Sequence, residues 1–384
     1  MPGLHAQPAK LWPLFGRDLE LAHQRLEELI QRETSVDGLC GLVPQLTYLG
    51  GYEQCERLLQ QHGLLSHPLG RQSLFRVERW RGRRNPWRAL IPAGDTKLLE
   101  DCRQQLEEPA VTLEVELVGG LGDILENHAL IQNAFARRSA LKRLQFRINN
   151  PTGWEAVGAL LARYSRATVL GPGQAATSPR LAKWTSPLMR CVMAQAGMDE
   201  TPVRTLPSGV EQDLPAGWVT NWRSKLDQRY PISSFSRSIP FAAVVELYAQ
   251  ILPELNRQGI RVHDVSEYNR HECAILQRLF PELDQARSRL NSLGDMLALV
   301  RRCQQVISVD TSLTHLCACS GRPVVLLLPL FADERWPRLM QEGCYAESVR
   351  ILKQTAFHDW TSVLDQIRQA SRLGQASTVR PLAD

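Results

Sequence analysis

One stretch limits what this chain can fold into more than any other, residues 306–328. Residues 306–309 form a short apolar strand pattern and 312–320 carry helical spacing. Gly321 closes that helix, Pro323 follows it, and 324–328 form a second apolar strand pattern. The same alternation recurs on both sides. It begins with a strand at 111–118, a helix at 123–138, a strand at 144–148, a helix at 154–164 and a short strand at 167–170. A Pro/Gly-rich stretch at 207–215 reads as a linker. Strand 218–222, helix 241–257, strand 261–265 and helices near 271–279 and 293–302 complete a second series. Two such series in tandem imply two parallel sheets flanked by helices. Ligands of such folds bind beyond the carboxyl ends of the strands, here in the crevice between the domains.

The first ~110 residues read differently, as helices. Leu19, Ala22, Leu26, Leu29 and Ile30 fall at helical spacing within 18–32, and two further helices at 38–49 and 52–61 meet at Gly50-Gly51. The string from Leu46 to Leu59 is similar to a tetratricopeptide hairpin, in one degenerate copy where a solenoid needs about three. Next comes a segment that starts at Arg76 and ends at Arg88, with six arginines and two tryptophans. A solvated linker face and a surface for acidic headgroups are both open readings of it. No nucleic-acid motif accompanies it, so nucleic acid is not an expected partner.

Composition narrows the rest. Of 384 residues 43% are hydrophobic and 22% charged, which sets aside disorder, collagen and coiled coil. The longest apolar run, 324–332, is about half of the ~20 residues a membrane-spanning helix needs. No secretory signal is expected in the first 15 residues, where Pro2, Pro8 and Pro13 break any apolar core. The nine cysteines show no CxxC pair and no zinc spacing. Buried free thiols in the cytoplasm explain them. Of the 45 basic residues 39 are arginine, a side chain suited to gripping phosphate but equally a matter of codon usage.

Three segments carry candidate chemistry. Gly119, Gly120 and Gly122 follow the first strand and precede Asp123 at the start of a helix. Such a turn lets a ligand approach the backbone, and Asp123 is either a group at the crevice edge or simply the helix cap. The second is Asp310, Thr311 and Ser312 at a strand end, where the new helix offers free N–H groups and its positive dipole end to an anion. His315 lies one turn further on the same side; a capping residue and a core histidine are the alternatives. The third is Arg223 and Lys225 beyond strand 218–222, suited to a diphosphate.

Together these residues resemble a known family. Residues 293–331, with VISVDTSLTH, Gly321-Arg-Pro323 and VVLLLP, resemble the carboxyl-terminal domain of heptosyltransferase-like glycosyltransferases, the ninth sequence family. Arg335-Trp336 and Asp359-Trp360 are similar to its downstream signatures, and the LGDIL segment to its first Gly-Asp turn. Two departures stand out: His128 occupies a position usually held by proline, and the first α/β domain, about 100 residues, is short.

The resemblance implies an α/β, GT-B fold. That fold has two Rossmann-like, doubly wound parallel-sheet domains with a crevice between them, here behind a small helical segment. It sets the divisions at 1–110 for the helical prefix and Arg/Trp-rich linker, 111–215 for the acceptor domain, 216–370 for the nucleotide-sugar domain and 371–384 for a tail. By the same resemblance Asp123 is the general base that deprotonates an acceptor hydroxyl, and Thr311, Ser312 and His315 hold the donor diphosphate. Asp310 faces the donor sugar, and Arg223 or Lys225 neutralises the leaving group. No metal and no cofactor is implied beyond the nucleotide-diphosphate sugar as co-substrate. The expected activity is an inverting transfer to a glycan or lipid-linked acceptor at the cytoplasmic membrane face, with peripheral contact through Arg76 to Arg88. The alternative is a catalytically degenerate scaffold that recruits a partner through its prefix. In an enzyme Asp123 faces the 310–315 loop across the crevice; in a scaffold it is occluded.

Overall fold

A computed structural model describes residues 19–83, 85–92, 96–138, 140–176, 178, 180–198, 205–206, 217–224, 237–341, 345 and 348–372. The prefix contains α1 (Leu19–Arg32), α2 (Val36–Tyr48), α3 (Tyr52–Gln61), α4 (Pro68–Trp80) and α5 (Thr96–Glu107), with a 3-10 turn at Pro86–Leu90 between the last two. Local chemistry sets the boundaries. Ser35 caps α2 by accepting from the Gly38 N–H at 3.1 Å, and Pro68 stands in the first turn of α4, where its missing N–H costs nothing. Ala22, Leu26, Val43, Leu46, Cys55, Leu59 and Val77 close a small core of their own.

The segment from Arg76 to Arg88 is not a linker. It is the end of α4 and the following turn, with Trp80 and Trp87 both 94% buried, Arg81 paired with Glu56 and Arg83 with Glu78. The two tryptophans lie inside the protein, so they offer no aromatic surface for the expected peripheral contact. Among the described residues no helix is long and apolar enough to cross a membrane.

The first α/β domain holds β1 (Thr112–Glu116), α6 (Leu121–Arg137), β2 (Leu144–Arg147), β3 (Thr168–Leu170), β4 (Leu181–Thr185) and α8 (Ser186–Gln195). Between β2 and β3 runs α7, made of Pro151–Gly153, a wider π turn at Trp154–Gly158, and Ala159–Tyr164. All four strands are parallel, in the order β3-β2-β1-β4. Val115 stands beside Phe146 and Trp184 on the apolar face, against α6. His128 of α6 lies 4.7 Å from the Phe146 ring, and burial pushes its imidazole down to about 3, so it is an uncharged core group. The departure from proline is therefore a matter of packing. The other face is polar: Arg147 pairs with Glu114 at 2.7 Å, and with Glu116 and Lys183 they line a cavity of about 450 Å³.

The second domain holds β5 (Gly217–Asn221), α9 (Phe241–Arg257), β6 (Arg261–Asp264), α10 (Arg270–Leu279), β7 (Asp284–Gln285) and α11 (Leu293–Arg301). It continues with β8 (Gln305–Val309), α12 (Ser312–Ser320), β9 (Val324–Leu328), α13 (Arg335–Gln341), β10 (Val349–Lys353) and α14 (Thr361–Arg372). Its six parallel strands run β10-β9-β8-β5-β6-β7. β5, β8 and β9 are buried at every position, as strands covered on both faces are. Trp218, Ile307 and Val325 point to a core shared with α9 and α14, while Val219, Val306 and Leu326 point to the opposite one. That opposite core does not stop at the domain boundary. It passes through Leu313, Leu316 and Cys317 of α12 to Leu125 and Ala129 of α6 and on to the first sheet. The expected linker at 207–215 and the tail from 373 onward lie outside the described residues.

The prefix docks on both domains. Phe357 of the second domain packs on the prefix core, and Arg190 of α8 lies 4.1 Å above the Trp87 ring. The Gly50 turn has φ +78°, and a Cβ there would stand 2.6 Å from the Phe331 ring. Gly50→Ala is therefore expected to cost about 2 kcal/mol, from the left-handed backbone and from overpacking. Urea denaturation checks this, and Phe331→Ala in the same background should restore part of the loss.

Candidate active site

The glycine turn after β1 is built around one carboxylate. Gly119 has φ +113°, and a Cβ on it would lie 2.8 Å from the Cβ of Asp123, so both backbone and space require glycine. Asp123 is the third residue of α6. Its Oδ2 accepts the Gly120 N–H at 3.1 Å, which serves the helix start, while Oδ1 points away from it. Oδ1 accepts two guanidinium groups: Nη2 of Arg79 at 2.8 Å and Nη1 of Arg335 at 3.0 Å. Asp123 thus performs the capping work and faces the crevice as well.

The opposite wall begins where β8 ends. Thr311 is extended, at φ −145° and ψ 176°, and its Oγ1 accepts from Asn221 Nδ2 at 3.0 Å and lies 3.2 Å from Ser308 Oγ. Behind it start the N–H groups of α12. Asp310 is buried and its carboxylate is already engaged, by Trp336 Nε1 at 3.0 Å, Arg335 Nη2 at 3.3 Å and Arg237 at 3.7 Å. His315 is buried, with its ring 4.6 Å from that of Trp336 and its Nδ1 3.7 Å from Glu126. A Cβ on Gly122 would lie 2.5 Å from the His315 ring, so this glycine lets the two domains close on each other.

Between the walls lies a crevice of about 700 Å³. It brings together Gly120, Gly122 and Asp123 of the first domain with Arg223, Asp310, Thr311, Ser312 and His315 of the second; Gly119 stands in the turn beneath. Lys225 lies outside the described residues. Five arginines line the crevice (76, 223, 237, 287 and 335) against three carboxylates (Asp123, Glu267 and Asp310), a positive surplus that suits an anionic ligand. Arg223 is braced by Glu272 and lies 5.6 Å from the Tyr268 ring centroid, and Arg287 is held by Glu267 at 2.9 Å. Val265 and Glu267, in the region that follows β6, also line the crevice.

Beneath the crevice floor is a buried charge network that sequence reasoning did not find. It links Asp123, Glu126, Asp310 and Asp333 to Arg79, Arg190 and Arg335. Burial pushes the Asp123 carboxyl up, but Arg79, His315 and the Gly120 N–H outweigh it and hold the group below the ordinary aspartate range. Asp333 goes the other way. Burial, with Asp310, Glu126 and Asp123 nearby, pushes it up to about 8 against the pull of Arg79. The Arg335-Trp336 pair was a visible signal for part of this network. Arg79 carried none, since its partners lie on distant elements.

Residues 245–358 match the family model of glycosyltransferase family 9 (heptosyltransferase), which bears out the resemblance read from the sequence around 293–336. No curated protein sequence matches the chain. Among solved structures it is similar to the E. coli ADP-heptose LPS heptosyltransferase II, at 14% identity and TM-score 0.46, over 69% of this chain and 99% of that one. It is similar also to the E. coli heptosyltransferase WaaC with ADP-2-deoxy-2-fluoro heptose, at 13% identity and TM-score 0.40, over 69% and 100%. A further likeness is to the iron-containing dodecameric glycosyltransferase TibC of enterotoxigenic E. coli H10407, at 14% identity and TM-score 0.39. That match covers 57% of this chain and spans 58% of the length of TibC.

Two substitutions test the geometry. Folded Asp333 keeps its proton up to about pH 8 whereas the unfolded chain releases it near 3.8, the ordinary aspartate value, so stability is lost as pH rises between the two. Asp333→Asn is expected to flatten that slope in melting temperatures taken from pH 4 to 8. Gly122→Ala is expected to cost about 1–3 kcal/mol by urea denaturation, because His315 is backed by Trp336 and has no room to retreat.

Proposed function

We propose that this chain, whose residues 245–358 match the family 9 model, is an inverting, metal-independent glycosyltransferase. It moves a sugar from a nucleotide-diphosphate sugar to a hydroxyl of a cell-surface glycan or its lipid-linked precursor, on the cytoplasmic side. The observation that carries this reading is one crevice with Asp123 on one wall and the start of α12 on the other. The eight described cysteines, all free, support a reducing compartment.

The chemistry follows from that placement. The acceptor oxygen attacks the anomeric carbon while the bond from that carbon to the diphosphate oxygen breaks, and the leaving diphosphate takes the electron pair. The hydroxyl proton passes to Asp123, through Oδ2, since Oδ1 already accepts two guanidinium groups. One base suffices for a single displacement, which inverts the anomeric carbon. Charge on the leaving diphosphate is met by the N–H groups that open α12, by the Thr311 and Ser312 hydroxyls, and by Arg223 and Arg237 at the rim. These fixed dipoles and cations take the part a divalent metal plays elsewhere. His315 lies deeper, where it supports the wall through Trp336 and Gly122. Asp310 acts on the donor through the guanidinium groups it orients, because its own oxygens are occupied.

Thermal-shift screening with UDP-, GDP- and ADP-linked sugars is expected to single out one base. A ligand at 100 times its dissociation constant stabilises by about 2.7 kcal/mol. With the donor and an acceptor in hand, Asp123→Asn is expected to lower kcat by about 10²–10⁴-fold and leave donor affinity unchanged. Chelator should have no effect. Because the Asp123 carboxyl is held low, the acid limb of the activity profile should lie below that of an ordinary aspartate. Nucleotide binding without transfer to any hydroxyl acceptor would favour the scaffold reading, and absence of nucleotide binding would remove both.

A further inference from the structure

We propose that the helical prefix is part of the reaction centre: Arg79, on α4, is a positioning residue that holds Asp123 ionised and fixes which carboxylate oxygen is open to the acceptor. This rests on Asp123 being the base. The observation behind it is that a prefix side chain crosses the domain boundary into the crevice floor. Its guanidinium joins three parts of the protein at once, donating through Nη2 to Asp123 Oδ1 at 2.8 Å and pairing through Nε with Asp333 Oδ2 at 3.1 Å.

The surroundings show why another group cannot take its place. Asp123 is faced by Arg79 from the prefix, by Arg335 from α13, by His315 from α12, and by Glu126 one turn along its own helix. Arg335 is shared. The same guanidinium lies 3.3 Å from Asp310, 3.3 Å from Asp333 and 3.5 Å from Glu126, so it cannot serve Asp123 alone. Arg79 is the group that gives Asp123 the larger share of its attractive field and its shorter hydrogen bond. Both guanidinium groups take Oδ1, and Gly120 N–H takes one direction at Oδ2, which leaves the remaining lone pair of Oδ2 for a proton. Without Arg79 the carboxylate keeps only the shared partner and is free to turn. It would also lie among Glu126, Asp310 and Asp333 with one countercharge fewer, and its proton affinity would rise.

The prefix is held in register for this contact. Trp80, the next residue, is buried; a Cβ on Gly82 would stand 3.2 Å from Glu334 Cβ, one residue beyond Asp333; and Arg81 pairs with Glu56 back in the prefix. The close approach of the α4 end to the 333–334 loop is what lets a side chain of ordinary length reach Asp123.

The test uses the full-length protein with Arg79→Met, which keeps the side-chain bulk and removes the charge, and Arg79→Lys, which keeps the charge without the fork. In Arg79→Met the acid limb of the kcat/KM profile is expected to move to higher pH, and kcat to fall by about 10- to 100-fold with donor KM unchanged. Arg79→Lys should return the acid limb toward its wild-type position. A lowered melting temperature with an unmoved pH profile and unchanged kcat would reduce Arg79 to a structural tie and overturn the proposal. A second arm needs no activity. The melting-temperature losses of Arg79→Met, Asp123→Asn and the double variant at pH 7 should be clearly non-additive, and the coupling should fade as pH is lowered far enough for Asp123 to take up its proton. Additive losses would overturn the pairing whether or not the wild-type protein transfers sugar. Wild-type protein that binds no nucleoside diphosphate would instead bring down the transferase reading by itself.

Discussion

One guanidinium organises the centre of this molecule. Arg335 reaches Asp123 and Glu126 in the first α/β domain and Asp310 and Asp333 in the second, with side-chain exposure of 9%. An ion buried to that degree costs several kcal/mol in lost hydration, which is recovered only when geometry and partners are complete. Arginine can meet that demand where lysine cannot, because its fork presents separate N–H groups to separate carboxylates. The relative placement of the two domains is therefore set by a charge as well as by the apolar core beside it. Gly122, where a Cβ would meet the His315 ring, lets that approach happen.

The network is matched in number. Asp123, Glu126, Asp310 and Asp333 are four carboxyls; Arg79, Arg190, Arg335 and, at Asp310, Arg237 are four guanidinium groups. Asp333 is nevertheless pushed up to about 8, by burial first and then by its carboxylate neighbours. The two aspartates at the ends of Arg79 are thus driven in opposite directions by environment. Asp123, with a guanidinium on each side and a backbone donor at its other oxygen, stays ionised. Asp333, further from solvent and beside three other carboxylates, does not. Paired acids with pKa values pushed apart are the pattern by which one site keeps a base available at neutral pH.

Much of the fold was legible because the second domain has the local patterns that survive without context. Helix 312–320 and strand 324–328 agree in both bounds, and helix 241–257 does as well. Fully buried parallel strands read as unbroken apolar runs, and Gly321 in the left-handed region closes α12 as its sequence suggests. β4 and α8 escaped notice because Lys183 and Arg190 interrupt the apolar pattern. Arg190 turns out to be fully buried, satisfied by Asn127, Glu126 and the Trp87 ring. The site residues were legible as types at strand ends; their partners were not. Asp310 shows the difference, since its position at the end of β8 was readable while Arg335 and Trp336, which occupy its oxygens, come from a later helix. The Arg/Trp segment misled for a related reason. Arginine beside tryptophan looks like a surface for anions when the carboxylates it meets inside lie on three other elements.

The shared core bears on how such a crevice can work. In a protein whose two domains meet through a polar cleft, closure over a ligand is a hinge motion with little to break. Here α6 packs on α12 through Leu125, Ala129, Leu313 and Leu316 as part of one apolar cluster, and the prefix spans both domains through Phe331, Phe357 and Trp87. Opening that contact would expose buried side chains at roughly 1.5–3 kcal/mol each, and would strand Arg79 and Arg335 from their carboxylates. A wide swing is therefore costly, and the walls are held near the spacing they already have. At the rim Arg223 follows β5, Arg237 precedes α9, and Arg287 stands in the 3-10 turn Ala286–Arg289. A preformed floor leaves any ligand of the crevice to fit the walls as they stand, with its anionic part at the cationic rim.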